Sequence, residues 1–426
     1  MTKKLSRRNF IKASAAGAGA GAIAATGAFK ARTAMAKDEV IKVGFCVDLT
    51  GDAAAWGLPG LYGADIWAEE LNSRGGIKVG DKMLPVEIIP YDDQFDITKA
   101  TVGVKKLLFE DEVSFIIMLS SPPATAVQDI LTRNEMISTC LSPADMSPDY
   151  PYLYAPVETH PFYNVTGIDH IARTNPEMKT MSVITQNDYI GLVSLAMYRA
   201  AAEVAGIEII EEKLFGFETI DFAPVVSGVL AKNPDILCWD TAYPDYVNLL
   251  TEQAFQQNYQ GKIVTCTLDG YTQMLEKTST AFMEGSIWQF PDFDDDAMQA
   301  QGINFAKPRE FFTKYEERHP NAWNAVSWEY AAILEMWKDG VEAAGDYSPM
   351  PTFKALKAMS PVPHVFGDCE WWGTEMFGID NIAMGNWPVV EMKNGKATIV
   401  EMMDYKAWID EHLDLVITHF KALDVF

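Results

Sequence analysis

Short apolar runs alternate with amphipathic stretches along most of the chain, and this rhythm constrains the fold more than any other feature. The first series opens with "VIKVGFCVDL" (residues 40–49), which reads as a strand. A helical pattern over 60–74 follows, then "LPVEIIPYDD" as a strand and 97–110 as a helix. "VSFIIML" reads as a buried strand, "PPATAVQDILTRNE" as a helix and "MISTCLS" as a strand. A second series begins after "YLYAPVETHPFYN". It comprises "TMSVITQND", a helix over 190–205, "IEIIEEKLF", a helix near 222–232, "DILCWDT", a helix near 245–256, and "KIVTCTLDG". Near-continuous apolar strands suit parallel sheets covered on both faces. The units recur at about 25–30 residues, close to the size of a βαβ unit. The predicted class is therefore α/β, with two doubly wound parallel-sheet lobes joined by a hinge. "SIWQFPDFDDD" reads as a crossover, 308–319 and 323–342 as helices, and "PVVEMKNGKATIVEM" as a hairpin turning at Asn394-Gly395. The expected division is a leader over 1–36, one lobe over 37–158 plus 291–370, and the other over 159–290 plus 371–426.

The leader reads from its own pattern. "SRRNFIK" (Ser6 to Lys12) is a twin-arginine sequence, followed by a weakly apolar Ala/Gly tract and "AMA" at Ala34 to Ala36. A charged start, an apolar centre and a small-residue cleavage site have the order of an export signal. No Cys stands at the cleavage point. The expectation is a soluble periplasmic protein starting near Lys37, exported by the twin-arginine route. The net charge is -25, and removing the leader's seven basic residues leaves -32. Such a body repels nucleic acid and anionic lipid at long range. About 390 residues follow the leader, more than one core usually holds. The five cysteines, Cys46, Cys140, Cys238, Cys266 and Cys369, show no C-x-x-C pair or zinc spacing. Most lie in or beside apolar runs and read as core thiols. An oxidising compartment permits a bridge, and Cys238 with Cys266 is the best-placed pair.

Open α/β sheets bind ligands outside the carboxyl ends of their strands. At those positions stand Thr50 to Trp56, Asp92 and Asp93, Ser120 and Ser121, Leu141 and Ser142, Gln186 to Tyr189, Trp239 to Tyr243, and Leu268 to Gly270. Two facing sets of this kind describe a clamshell. "LTGDAAAWGLPGLYGA" (49–64) has the look of a phosphate loop, but its glycines are spaced G-x-x-G-x-x-G and no Walker Lys follows. It reads instead as a glycine-rich lip that offers Trp56 to a ligand and lets backbone approach it. Asp92 and Asp93 are adjacent on an extended segment, so their side chains point apart. They read as loop-capping groups rather than a catalytic pair. None of the six histidines falls at a predicted strand end inside the cleft, although His160 lies at a crossover. No catalytic residue, cofactor or metal is expected.

The segments "IKVGFCVDLTGDAAAWG…GADIWAEELNSRGGI", "YDDQFD", "SS", "ISTCLS", "DF" (Asp221-Phe222) and "TLDG" together resemble the branched-chain amino-acid type of substrate-binding protein. That family serves ABC importers and has the type I periplasmic binding fold. The resemblance implies that Ser120 and Ser121 hold a ligand carboxylate, that Leu141 and Ser142 add a carbonyl and a hydroxyl, and that Trp56 forms an aromatic wall. It implies that Asp269 receives the ligand's amino group. The family's second-lobe Tyr-Gly is here Ile190-Gly191, with Tyr189 one residue earlier. Beside the resemblance, Ser120 and Ser121 also suit a helix N-cap and Asp269 a turn. Trp239 and Tyr243 could stack on a ring or enclose a quaternary ammonium, or they could be core packing. The expected function is a monomeric receptor that binds an amino acid or related small carboxylate, aromatic or methylated, and delivers it to an inner-membrane ABC permease. A ligand-sensing module or an enzyme on the same scaffold are the alternatives.

Overall fold

The computed structural model describes residues 39–426 apart from 52, 144–145, 217, 241–243, 269, 291–299 and 301–307. The strands of the first series are β1 (Ile41–Val47), β2 (Ile77–Val79), β3 (Lys82–Leu84), β4 (Val86–Asp92), β5 (Phe115–Met118), β6 (Ser138–Thr139) and β7 (Leu153–Tyr154). Those of the second are β8 (Thr180–Gln186), β9 (Glu208–Phe215), β10 (Ile236–Asp240), β11 (Lys262–Thr265) and β12 (Ile287–Trp288). The C-terminal part adds β13 (Val362–His364), β14 (Gly367–Trp372), β15 (Ile382–Met384), β16 (Asn386–Lys393) and β17 (Lys396–Asp404).

Two sheets carry the architecture. The first has the order β4-β1-β5-β6-β7 and is parallel throughout. The second has the order β17-β16-β12-β11-β10-β8-β9, with β9 to β12 parallel and the β16–β17 hairpin added antiparallel at the β12 edge. In each sheet the first strand of its series lies between the second and the third, so the parallel strands of both share one order. The chain reverses beside β1 and beside β8, and such switch points open a crevice at the carboxyl ends of the strands. The core strands β5 and β10 are buried along their whole length, as two covered faces require. Helices Val165–Thr174, Tyr189–Ala205 and Tyr405–Ala422 pack together at the second sheet, while Ala223–Leu230 and Pro244–Gln256 pack with each other against β9 and β10. The C-terminal hairpin turns where predicted, with Asn394 and Gly395 both at positive φ, 54° and 75°, as a two-residue I′ turn demands.

The stretch 49–64 departs from its reading as a loop. A helix runs over Ala54–Ser73, so Gly57, Gly60 and Gly63 lie inside it. A spacing of three puts them on one helical face. An added Cβ would come closer than 3.0 Å to the Asp48 carbonyl at Gly57, to the Tyr330 ring at Gly60 and to the Ser327 carbonyl at Gly63. The glycines thus let this helix press against the end of β1 and against helix Val326–Ala344. They do not hold backbone against a ligand. The segment 122–135 is likewise two short helices, Pro123–Ala126 and Gln128–Arg133, rather than one.

All five cysteines are buried and free, so Cys238 and Cys266 form no bridge. Cys238 pairs in register with Val264 on the neighbouring strand, and the Cys266 thiol turns to the Tyr163 hydroxyl at 3.2 Å. Among the described residues no helix is long and apolar enough to cross a membrane.

His364, buried on β13, carries a pH-dependent part of the stability. Its Nε2 donates to the Val157 carbonyl at 3.0 Å, and its Nδ1 accepts the Phe366 N–H at 3.1 Å. The second bond is made only by the neutral ring, since Nδ1 accepts in it, whereas the bond to Val157 survives protonation and opposes the fall in pKa. Burial pushes the pKa down to about 4. The native state therefore binds this proton more weakly than the unfolded chain, whose His titrates near 6.5. The contribution is complete above pH 6.5 and is lost as pH falls toward 4, about 3 kcal/mol in all. Urea unfolding of the wild type and of His364→Gln at several pH values checks this. The wild type should show the steeper decline between pH 6.5 and 4, and parallel declines would refute it.

Candidate functional site

A cavity of about 80 Å³ opens where the carboxyl ends of the two sheets face each other. One water needs roughly 10–15 Å³ by the same measure, so the space suits a small molecule. Strand-end regions of both sheets contribute. Phe95 follows β4, Leu119 and Ser120 follow β5, and Leu141 and Ser142 follow β6. Glu158 and His160 follow β7, Asp188 and Ile190 follow β8, and Asp240 ends β10. Cys266 and Thr267 follow β11, and Phe290 follows β12. Trp56 reaches in from the glycine-faced helix, and Glu329 from the start of helix Val326–Ala344.

The polar groups divide into two kinds. Trp56 Nε1, Ser142 Oγ and Thr267 Oγ1 are buried donors with no partner among the described residues. Such groups cost about 1–3 kcal/mol each when left unsatisfied, so they point to an acceptor supplied by a ligand. The second kind is acidic: Glu158, Asp188, Asp240 and Glu329. Among the described residues no Lys or Arg lines the cavity. Burial raises the Glu158 carboxyl, although neighbouring His160 and its Tyr163 partner at 2.7 Å oppose the rise. Glu329, fully buried, is a second carboxyl in the same cavity. Asp188 is raised by burial against the Gly191 N–H at 2.8 Å, which it accepts as an N-cap. Asp240 accepts from Asn164 Nδ2 at 2.5 Å. His160 Nε2 lies 2.7 Å from Ser194 Oγ and 3.5 Å from Asp240 Oδ2. Burial lowers the His160 pKa, but the Asp240 carboxylate and its acidic neighbours outweigh that and hold it above the ordinary value.

The residues expected at the site separate into three groups. Trp56, Ser120, Leu141 and Ser142 line the cavity together. Ser121, Tyr189 and Trp239 do not. The Ser121 hydroxyl instead meets Thr125 Oγ1 at 2.5 Å. Tyr189 begins its helix beyond the N-cap, and the flanking Asp188 and Ile190 enter the cavity in its place. Trp239 is fully buried within β10, where strand alternation sends Asp240 to the cavity and Trp239 to the opposite face. Tyr243 and Asp269 lie outside the described residues. His160, read as outside the cleft, is a cavity residue. Asp92 and Asp93 act as loop caps: Asp92 accepts from Leu49 N at 2.9 Å and Thr50 Oγ1 at 2.6 Å, and Asp93 from Phe95 N at 2.9 Å.

Two doubly wound lobes with a small, partly open cavity at their facing strand ends have the layout of a clamshell binding fold. The chain belongs to the periplasmic binding protein family, whose sequence profile matches residues 40–397. It is 25% identical over 346 residues to the leucine-specific-binding protein of Salmonella typhimurium, covering 79% of this chain and 88% of the relative. In structure it is similar to a leucine-binding protein from Thermotoga maritima, with a TM-score of 0.65 at 18% identity, over 86% of this chain and 99% of the other. It is also similar to a solute-binding protein of an ABC transporter from Rhodopseudomonas palustris, solved with p-hydroxybenzoic acid. That match has a TM-score of 0.69 at 13% identity, over 86% of this chain and 98% of the other.

Proposed function

We propose that this protein is the periplasmic receptor of an ABC importer and closes on a small amino-acid-like solute that bears an oxygen-rich acceptor end and a cationic or hydrogen-donating end. The observation that supports this most directly is the division of the cavity's polar groups. Three partnerless donors, Trp56 Nε1, Ser142 Oγ and Thr267 Oγ1, suit a carboxylate. The buried acids Glu158 and Asp240 and the half-buried Asp188 suit an amine. The aromatic faces of Trp56, Phe95 and Phe290 exclude water and accommodate a ring. A bare aromatic carboxylate such as the p-hydroxybenzoic acid of the Rhodopseudomonas palustris relative fits less well, because its charge has the same sign as the acids. Ligand contacts reach the cavity from both sheets, so binding biases an open–closed equilibrium. The lobes divide as 37–158 with 291–370 and 159–290 with 371–426. The twin-arginine leader exports the chain, which acts as a soluble monomer that hands its solute to an inner-membrane permease. It performs no chemistry on the solute.

Native mass spectrometry of the mature protein, purified without unfolding, identifies any bound solute, and calorimetry with a panel of amino acids, amines and aromatic acids follows. One zwitterionic solute per chain is the expected result. Trp56→Phe, which keeps the ring and loses the N–H, and Ser142→Ala should each weaken binding about tenfold, roughly 1.4 kcal/mol. Tight binding of benzoates with no preference for an amine would overturn the assignment of the acidic end.

A further inference from the structure

We propose that His160, Asp240 and Cys266 form a divalent-metal site at the acidic end of the cavity, with a fourth coordination position open to the bound solute. His160 Nε2, an Asp240 carboxylate oxygen and Cys266 Sγ all lie within 4.8 Å of one another, and all three residues are buried. Donors of these types bind zinc at about 2.0–2.3 Å, which places them roughly 3.3–3.8 Å apart around a tetrahedral ion. His160 Nε2 and Asp240 Oδ2 stand 3.5 Å apart, so this pair already has the spacing. Three protein donors and one open position is the arrangement of zinc sites that take an exchangeable ligand. The donors come from three separate strand ends, after β7, at β10 and after β11. The fold assembles them, and no sequence spacing announces them.

The surroundings suit the assignment. Tyr163 Oη lies 3.2 Å from Cys266 Sγ and donates to Glu158 Oε1 at 2.7 Å; with Cys266 a metal-bound thiolate, the hydroxyl proton turns from Glu158 to the sulfur. Asn164 Nδ2 donates to Asp240 Oδ2 at 2.5 Å. Outer hydrogen bonds of this kind orient metal ligands. The Ser194 hydroxyl, 2.7 Å from His160 Nε2, gives way to the ion. A divalent ion with one carboxylate and one thiolate makes a neutral centre, in a cavity whose described lining holds several acids and no Lys or Arg. A coordinated thiol loses its proton outright, so binding releases a proton to solvent. The partnerless Thr267 hydroxyl, next in sequence to Cys266, marks where a solute oxygen meets the open position. This rests on the solute reading above: a carboxylate oxygen of the solute completes the coordination beside Thr267 while its ammonium stays with Glu158 and Asp188, so metal and solute bind cooperatively.

Cobalt(II) is the probe. The whole mature protein is stripped with chelator and titrated with cobalt, with zinc as competitor. The expected result is one equivalent bound, with a thiolate-to-cobalt charge-transfer band that zinc abolishes. The band should vanish in Cys266→Ser and His160→Gln and survive in Cys369→Ala, with thermal unfolding confirming that each variant folds. A folded wild type that shows no band in excess cobalt, or a band that persists in Cys266→Ser, overturns the site. Chelation should weaken solute binding about tenfold. Solute binding that is indifferent to chelation, with no cobalt band, removes the metal and leaves the receptor reading intact. A cobalt band with no solute binding from the panel sustains the metal and removes the solute reading.

Discussion

Gly63→Ala is expected to lower the unfolding free energy by about 3 kcal/mol or more, the upper part of the range for overpacked cores. In an exposed helix the same change normally stabilises, because Ala has the higher helix propensity by about 1 kcal/mol. The sign reverses here because the new methyl would fall on the Ser327 carbonyl. That oxygen belongs to backbone at the start of helix Val326–Ala344, so no rotamer change relieves the overlap and the two helices must part. Their crossing also sets the site, since Trp56 projects from one helix and Glu329 from the other into the same cavity. A weaker solute affinity should accompany the lost stability. Gly228 supplies the control. It lies inside helix Ala223–Leu230, and an added Cβ there meets nothing within 4 Å. Gly228→Ala should therefore raise stability by about 0.5–1 kcal/mol. Denaturant unfolding of both variants decides the matter. Equal and small effects at the two positions would mean that the helix crossing yields more readily than its geometry implies.

The same glycines show how far the sequence could be read. Apolar runs and their spacing were enough for both parallel sheets, because a doubly covered strand has few alternatives to Val, Ile and Phe. The i, i+3, i+6 spacing of Gly57, Gly60 and Gly63 is a helix-face spacing, yet glycine density and Pro59 argue for a loop when read locally. What decides between them is the neighbour 270 residues away on helix Val326–Ala344, which the local sequence does not contain. The first-lobe part of the cavity was legible because Ser120, Leu141 and Ser142 follow recognisable strands directly. The second part was legible in one respect. Strand alternation puts Asp240 and Trp239 on opposite faces, and the polar member belongs at the cleft. Glu158 and His160 lie in a segment without period, so nothing in the pattern assigned them a direction. Glu329 gave a weak signal of its own, an acid within the apolar stretch "NAVSWEYAAILEMW".

Asp48→Asn is expected to stabilise the protein by about 3 kcal/mol at pH 8, and the gain should shrink toward zero as pH falls to 4. Asp48 follows β1 and is fully buried, and neither carboxylate oxygen has a partner among the described residues. Burial pushes its pKa up to about 8, its own backbone N–H opposes the rise, and Asp93 and Asp92 add to it. The native state thus binds this proton more tightly than the unfolded chain, whose Asp titrates near 3.9. The group favours folding most below pH 3.9 and progressively opposes it as pH rises to 8, by about 5 kcal/mol in all. Asn removes the titration and keeps the shape. It also brings an amide that must find acceptors, which is why the expected gain is smaller than the full cost of ionisation. Denaturant unfolding at pH 4, 6 and 8 should show two curves that meet at the acidic end and diverge with rising pH. A constant gap would mean that the benefit is steric, and no gap would mean that Asp48 ionises freely. Solute affinity adds a second readout. Asp48 does not line the cavity, but its carbonyl is the surface against which Gly57, the residue after Trp56, is packed. Affinity that survives the substitution places the cost of burying Asp48 in the scaffold alone, whereas a tenfold loss would make its charge part of how Trp56 is held.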